Sequence, residues 1–177
     1  MSTTKTAAMP AVKHSADDTP LAALFEHALK DMYYAEKKIY KALPKMIKAA
    51  ADPALKDALK MHRDETVGQI DILEQVFDNI GKRAKAEKCD AIDGILDEGN
   101  GLLEDFGKTG AGDAAIVFSC QAVEHYEITR YGSMVAFANA LGNVEAAEMI
   151  SRILAQEHSA DEKLSQMAES HINQAAA

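Results

Sequence analysis

Five glutamates occupy positions where a helix packed on one face would carry apolar residues. From Phe25 the seam reads Phe25, Leu29, Met32, Glu36, Ile39, Leu43, Ile47, so Glu36 has apolar neighbours one turn above and one turn below. Further on, Leu55, Ala58, His62, Glu65, Gln69, Ile72, Val76 carries three successive polar side chains in the same register. The third seam is Val117, Cys120, Glu124, Glu127, Tyr131, Val135, Ala138, and the fourth is Ile150, Ile153, Glu157, Asp161, Leu164, Met167. A carboxylate buried without a partner costs several kcal/mol, and several together repel one another. Cations are the simplest remedy. Two divalent ions bridged by carboxylates would neutralise most of the charge, and oxygen-rich ligation with at most a little imidazole favours iron first and manganese second.

The candidate metal ligands are therefore Glu36, His62, Glu65, Glu124, Glu127, Glu157 and Asp161. Gln69, Tyr40 and Tyr131 are candidate supporting residues, the tyrosines lying one turn after Glu36 and Glu127 and able to hydrogen-bond to the carboxylates or simply to pack. His125 and His158 fall about 100° round their helices from neighbouring glutamates, which places them at the edge. A single seam glutamate is ordinarily half of an ion pair or a residue reaching for solvent. Four coincident interruptions, with Arg130 the one cation evident beside the stripe, favour metal over internal ion pairs.

Glutamates far apart in sequence meet only if long helices bring their midpoints to one height. Thr19-Pro20 and Asp52-Pro53 each read as a cap followed by proline at the first helical position, opening helices that run to about Ala51, with a kink at Pro44, and to Gly81. The stretch 82–112 holds a short amphipathic piece from Ala91 to Phe106 and several glycines, long enough to cross from one end of a bundle to the other. A third long helix is expected from Asp113 to Gly142, and a fourth from Asn143 or Val144 to Ser170. At a rise of ~1.5 Å per residue, each would be about 40 Å long. The chain divides into a flexible tail at 1–18, one bundle domain at 19–172 and a C-terminal tail at 173–177.

Composition agrees with an all-α domain: of 177 residues 6% are aromatic, none is Trp, and four are Pro. The formal net charge of −9 argues against nucleic acid as a partner and favours cations. Cys89 and Cys120 are the only cysteines and lack C-x-x-C spacing, which argues against a disulfide scaffold or thiolate zinc and suits a reducing cytoplasm. No apolar run reaches the ~20 residues that span a bilayer, so no membrane association is expected.

The segments "DMYYAEKKIYKALPKM", "HRDETVGQIDILEQVF", "QAVEHYEITRYG" and "EHSADEKL" resemble, in order and spacing, the YciE/YciF family of bacterial ferritin-like stress proteins. The resemblance covers nearly all of the chain after the tail. It implies an all-α, ferritin-like four-helix bundle whose long crossover, between the second and third helices, contains a short extra helix. It further implies a carboxylate-bridged di-iron site, a stress role, and a homodimer rather than a storage cage. The activity would be that of a ferroxidase or peroxidase, oxidising Fe(II) or reducing oxygen or peroxide. A catalytically silent structural protein with a polar core layer, or a manganese catalase-like enzyme, is the alternative. The chain departs from ferritins where they carry E-x-x-H: three residues after Glu65 and Glu157 stand Gly68 and Ala160. The E-x-x-E of Glu124 and Glu127 is closer to rubrerythrins.

Overall fold

The computed structural model describes residues 19–177, so the expected tail at 1–18 lies outside the described residues. Five helices dominate: α1 (Pro20–Ala49), α2 (Pro53–Asn79), α3 (Asp90–Phe106), α4 (Gly112–Ala140) and α5 (Val144–Met167). Both cap signals act as read. The Thr19 side chain accepts a hydrogen bond from the Ala22 amide at 3.1 Å, and Asp52 from the Leu55 amide at 2.8 Å, with proline following in each case. Helix α1 continues through Pro44. Helices α2 and α4 end where Gly81 and Gly142 take positive φ, 67° and 74°, a conformation that costs glycine nothing.

Hydrogen bonds at the two ends of the bundle fix its topology. The Asp113 carboxylate at the start of α4 accepts from the amides of Ala51 and Asp52, at 2.8 and 2.9 Å, in the α1–α2 turn. At the opposite end Asn79, closing α2, donates to Glu145 and accepts from Asn143 at the α4–α5 turn. Helix α4 therefore runs parallel to α2, and α1 and α5 run antiparallel to both. The intervening segment has to travel the length of the bundle, and α3 does so while packing on α1 and α4. Round the bundle the order is α1, α2, α5, α4, so each long helix touches two others. Gly99 lets α3 come close, because a Cβ there would lie 3.2 Å from Cβ of Ser119 on α4.

The core consists of residues such as Leu29, Met32, Leu73, Phe77, Met134, Ile150 and Ile153, which are fully buried or nearly so. Beyond Met167 the chain stays helical as far as Ala176, into the segment 173–177. It passes through a π-helical turn, Ala168–Ile172, and a last helical turn, α6 (Asn173–Ala176). Ile172 is 3% exposed and His171 contacts the Asp52 carboxylate at 3.1 Å. An apolar anchor and a polar tie thus hold the end of the expected domain against the bundle. Among the described residues no helix is long and apolar enough to cross a membrane.

Candidate metal centre

The four long helices bring Glu36, His62, Glu124, Glu127 and Glu157 into the middle of the bundle, where none is more than 7% exposed. One ligand atom each from His62, Glu124, Glu127 and Glu157 lies within 4.8 Å of all the others. Glu36 of α1 adjoins this group through Glu127, and the Tyr131 hydroxyl, reaching across from α4, donates to its Oε1. Gln69 Nε2 donates to Glu157 Oε1 at 2.5 Å and to Gln156 Oε1 at 3.2 Å. His62 Nε2 stands 3.5 Å from Glu124 Oε1.

These contacts leave most of the site's hydrogen-bonding capacity unused. Glu36 Oε2, His62 Nδ1, Glu124 Oε2, both oxygens of Glu127 and Glu157 Oε2 are buried without a hydrogen-bond partner. Buried polar atoms are ordinarily paired, so a concentration of orphans, nearly all acceptors, calls for donors or cations. Burial pushes the carboxyls of Glu36, Glu127 and Glu157 well above the usual range, neighbouring carboxylates adding to it, and pushes Glu124 to about 8. Burial lowers His62 to about 4, so its contact with Glu124 near neutrality is that of a neutral imidazole and not an ion pair. Among the described residues no lysine or arginine forms a salt bridge with these four carboxylates; Arg130 instead stacks on the Tyr126 ring. The donor set can hold a hard divalent cation, four carboxylates and one imidazole being a set such ions favour.

Three of the expected site residues lie outside the compact buried group. Glu65 is half-buried beside the group, and the core positions of α2 are taken by Leu59, Thr66 and Leu73, one residue after each expected one. Glu65 thus faces the α5 side of the bundle, lining a notch with Lys163 of α5. Asp161 is also half-buried: one oxygen contacts His125 Nε2 at 3.1 Å, while Oδ1 is buried and unpartnered. Tyr40 supports no carboxylate; its hydroxyl accepts from Arg63 Nη2 at 2.8 Å, and the guanidinium lies over its ring. Thr66, which the sequence reading missed, is fully buried and donates to the His62 carbonyl of its own helix at 2.9 Å. His125 and His158 are at the edge, as expected.

The two tyrosines should separate by mutation. Tyr131→Phe leaves Glu36 Oε1 buried without its donor and is expected to cost the metal-free protein about 1–3 kcal/mol, whereas Tyr40→Phe should cost less than about 1 kcal/mol. Urea unfolding of both variants beside the parent checks this.

The family described as Domain of unknown function (DUF892) matches residues 20–177, and Protein YciF of Escherichia coli (strain K12) is 36% identical over 154 residues, covering 86% of this chain and 93% of that one. The chain belongs to the YciE/YciF family. Among solved structures, that of the E. coli stress protein YciF superposes with a TM-score of 0.83, at 36% identity, over 88% of this chain and 98% of the other. YcfI from Rhodopseudomonas palustris, for which a structural role has been suggested, gives a TM-score of 0.81 at 41% identity, over 86% and 97%. A Xanthomonas campestris protein shares the fold at 22% identity, with a TM-score of 0.66 over 89% and 96%. YciE/YciF membership therefore covers the bundle and the crossover helix together, and all five buried site residues fall within the matched span.

Proposed function

We propose that this chain is a di-metal carboxylate protein of the stress response that binds two iron ions inside the bundle and oxidises Fe(II) at the expense of oxygen or peroxide. The observation that carries the reading is the convergence of His62, Glu124, Glu127 and Glu157 within 4.8 Å, with unpartnered carboxylate oxygens turned into the core. That group suits one ion. Glu36, bridged to it through Glu127, and the half-buried Glu65 and Asp161 supply carboxylates for a second. Iron bound there supplies electron transfer. The protein's own part is to hold the ligands in register, with Gln69 orienting Glu157 and Tyr131 orienting Glu36, and to keep bulk water out. Manganese fits the same donors and would support a catalase-like reaction. By the family resemblance the working unit is a cytoplasmic homodimer.

A structural reading has its own support. If the carboxyls stay protonated, as burial favours, they can share protons in the pairs Glu36–Glu127 and Glu124–Glu157 and form a polar layer that fixes helix register. Metal analysis decides between the two. After anaerobic loading with Fe(II) and desalting, more than one iron per chain is expected; less than about 0.2 would exclude the metal reading, since a site of this charge should fill. Loading at a hundredfold excess over Kd should add about 2.7 kcal/mol, raising the melting midpoint by roughly 5–10 °C, and a structural layer predicts no shift.

A further inference from the structure

His62 and Glu124 are reached from two sides, and the two approaches differ in chemistry. Between α2 and α5 a small notch is lined by Glu65 and Lys163 together with Leu59 and Leu164, an approach that offers charged partners to polar molecules. On the other side a cavity of about 30 Å³ lies among α1, α3 and α4. Ala42, Ile95 and Leu96 form its half-buried rim, Ile39 and Val123 its buried wall, and His62 and Glu124 the polar end. Roughly 10–15 Å³ on this measure admits one water, so the space suits a guest of two heavy atoms.

We propose that this cavity is a dioxygen site, which makes dioxygen rather than peroxide the oxidant delivered from the α3 side. Hydrogen peroxide carries two donors and four lone pairs, and a mostly aliphatic chamber offers it partners only at the His62–Glu124 end, so the groups turned to Ile39, Ile95, Leu96 and Val123 stay unpaired, a cost of about 1–3 kcal/mol for each. Dioxygen has no such groups to desolvate, and apolar cavities of suitable size stay dry and take apolar guests. Helix α3 thereby acquires a role beyond crossing the bundle, since Ile95 and Leu96 close a chamber that the four long helices leave open. Gas binding needs only the cavity; its use as oxidant rests on the metal reading above.

Xenon is the probe, applied under pressure to crystals of metal-free protein and located by its anomalous scattering. A peak among α1, α3 and α4 is expected, and its absence would overturn the proposal. Ala42→Leu and, from a different helix, Leu96→Phe should each fill the chamber and abolish the peak while leaving iron content unchanged. In iron-loaded protein the same variants should slow oxidation by dioxygen about tenfold, a barrier rise of roughly 1.4 kcal/mol, and leave oxidation by hydrogen peroxide unaltered. Equal slowing with both oxidants, or with neither, would refute the assignment. A xenon peak in a protein that takes up no iron would uphold the gas cavity and defeat the metal reading, so the two failures are distinguishable.

Discussion

Replacing Glu127 and Glu157 together by glutamine is expected to abolish metal binding while leaving the metal-free protein at least as stable as the parent. Both side chains are fully buried, and three of their four carboxylate oxygens have no hydrogen-bond partner. Glutamine keeps their size and removes two negative charges that the metal reading requires. The direction of the stability change follows from the metal-free site, where burial and mutual repulsion already hold both carboxyls well above the usual range. Relief of that cost, on the order of 1–3 kcal/mol for each buried unpaired polar group, should match or exceed the loss of the hydrogen bond that Gln69 gives Glu157. Glu65→Gln is the useful contrast. That residue is half-buried and outside the compact group, so the ion held by His62, Glu124, Glu127 and Glu157 should remain and only the second ion should be weakened. Bound iron and the urea midpoint, measured in parallel, discriminate: a double variant that loses stability and keeps its iron would show the carboxyls to be structural.

The mid-helix burial of Glu36, Glu124, Glu127 and Glu157 was legible in the sequence because each has apolar residues three or four places away in both directions, which leaves a helix little choice of face. Helix α2 was harder. Leu55, Ala58, His62, Glu65, Gln69, Ile72, Val76 and Leu55, Leu59, His62, Thr66, Gln69, Leu73, Val76 are both steps of three and four, and they share Leu55, His62, Gln69 and Val76. At the three positions where they differ, Leu59, Thr66 and Leu73 are buried and Ala58, Glu65 and Ile72 only half-buried. Leu59 offers more apolar surface than Ala58, and Thr66 satisfies its hydroxyl within its own helix, so the buried face needs no compensation there. Favouring the glutamate as a ligand pulled the reading one residue, about 100°, off that face. The Tyr131–Glu36 and Gln69–Glu157 contacts join different helices, and the apolar chamber depends on how closely Gly99 lets α3 dock. Neither is written in the periodicity of one segment.

Raising the pH should weaken the metal-free protein and tighten its hold on metal over the same range. In the unfolded chain the glutamates titrate near 4.5, whereas in the folded metal-free protein Glu124 titrates near 8, and Glu36, Glu127 and Glu157 are also raised. Below about pH 4.5 both states are protonated and the stability associated with these groups is fully present. As pH rises the unfolded state releases its protons first, so the folded state loses stability, until for Glu124 the loss is complete above about 8. His62 acts oppositely: lowered to about 4 from 6.5, it adds stability as pH rises between those values. One imidazole set against four carboxyls leaves the net trend downward from about pH 6.5 to 8. A cation must displace the protons these carboxyls hold, so each proton released tightens apparent binding by about tenfold per pH unit. Urea midpoints of metal-free protein at pH 5.5, 6.5 and 7.5, with Mn(II) titrations at the same values, should therefore move in opposite directions above pH 6.5. A rise in metal-free stability across that interval, or a pH-independent affinity, would mean that the carboxyls are already ionised and compensated by groups of the protein itself.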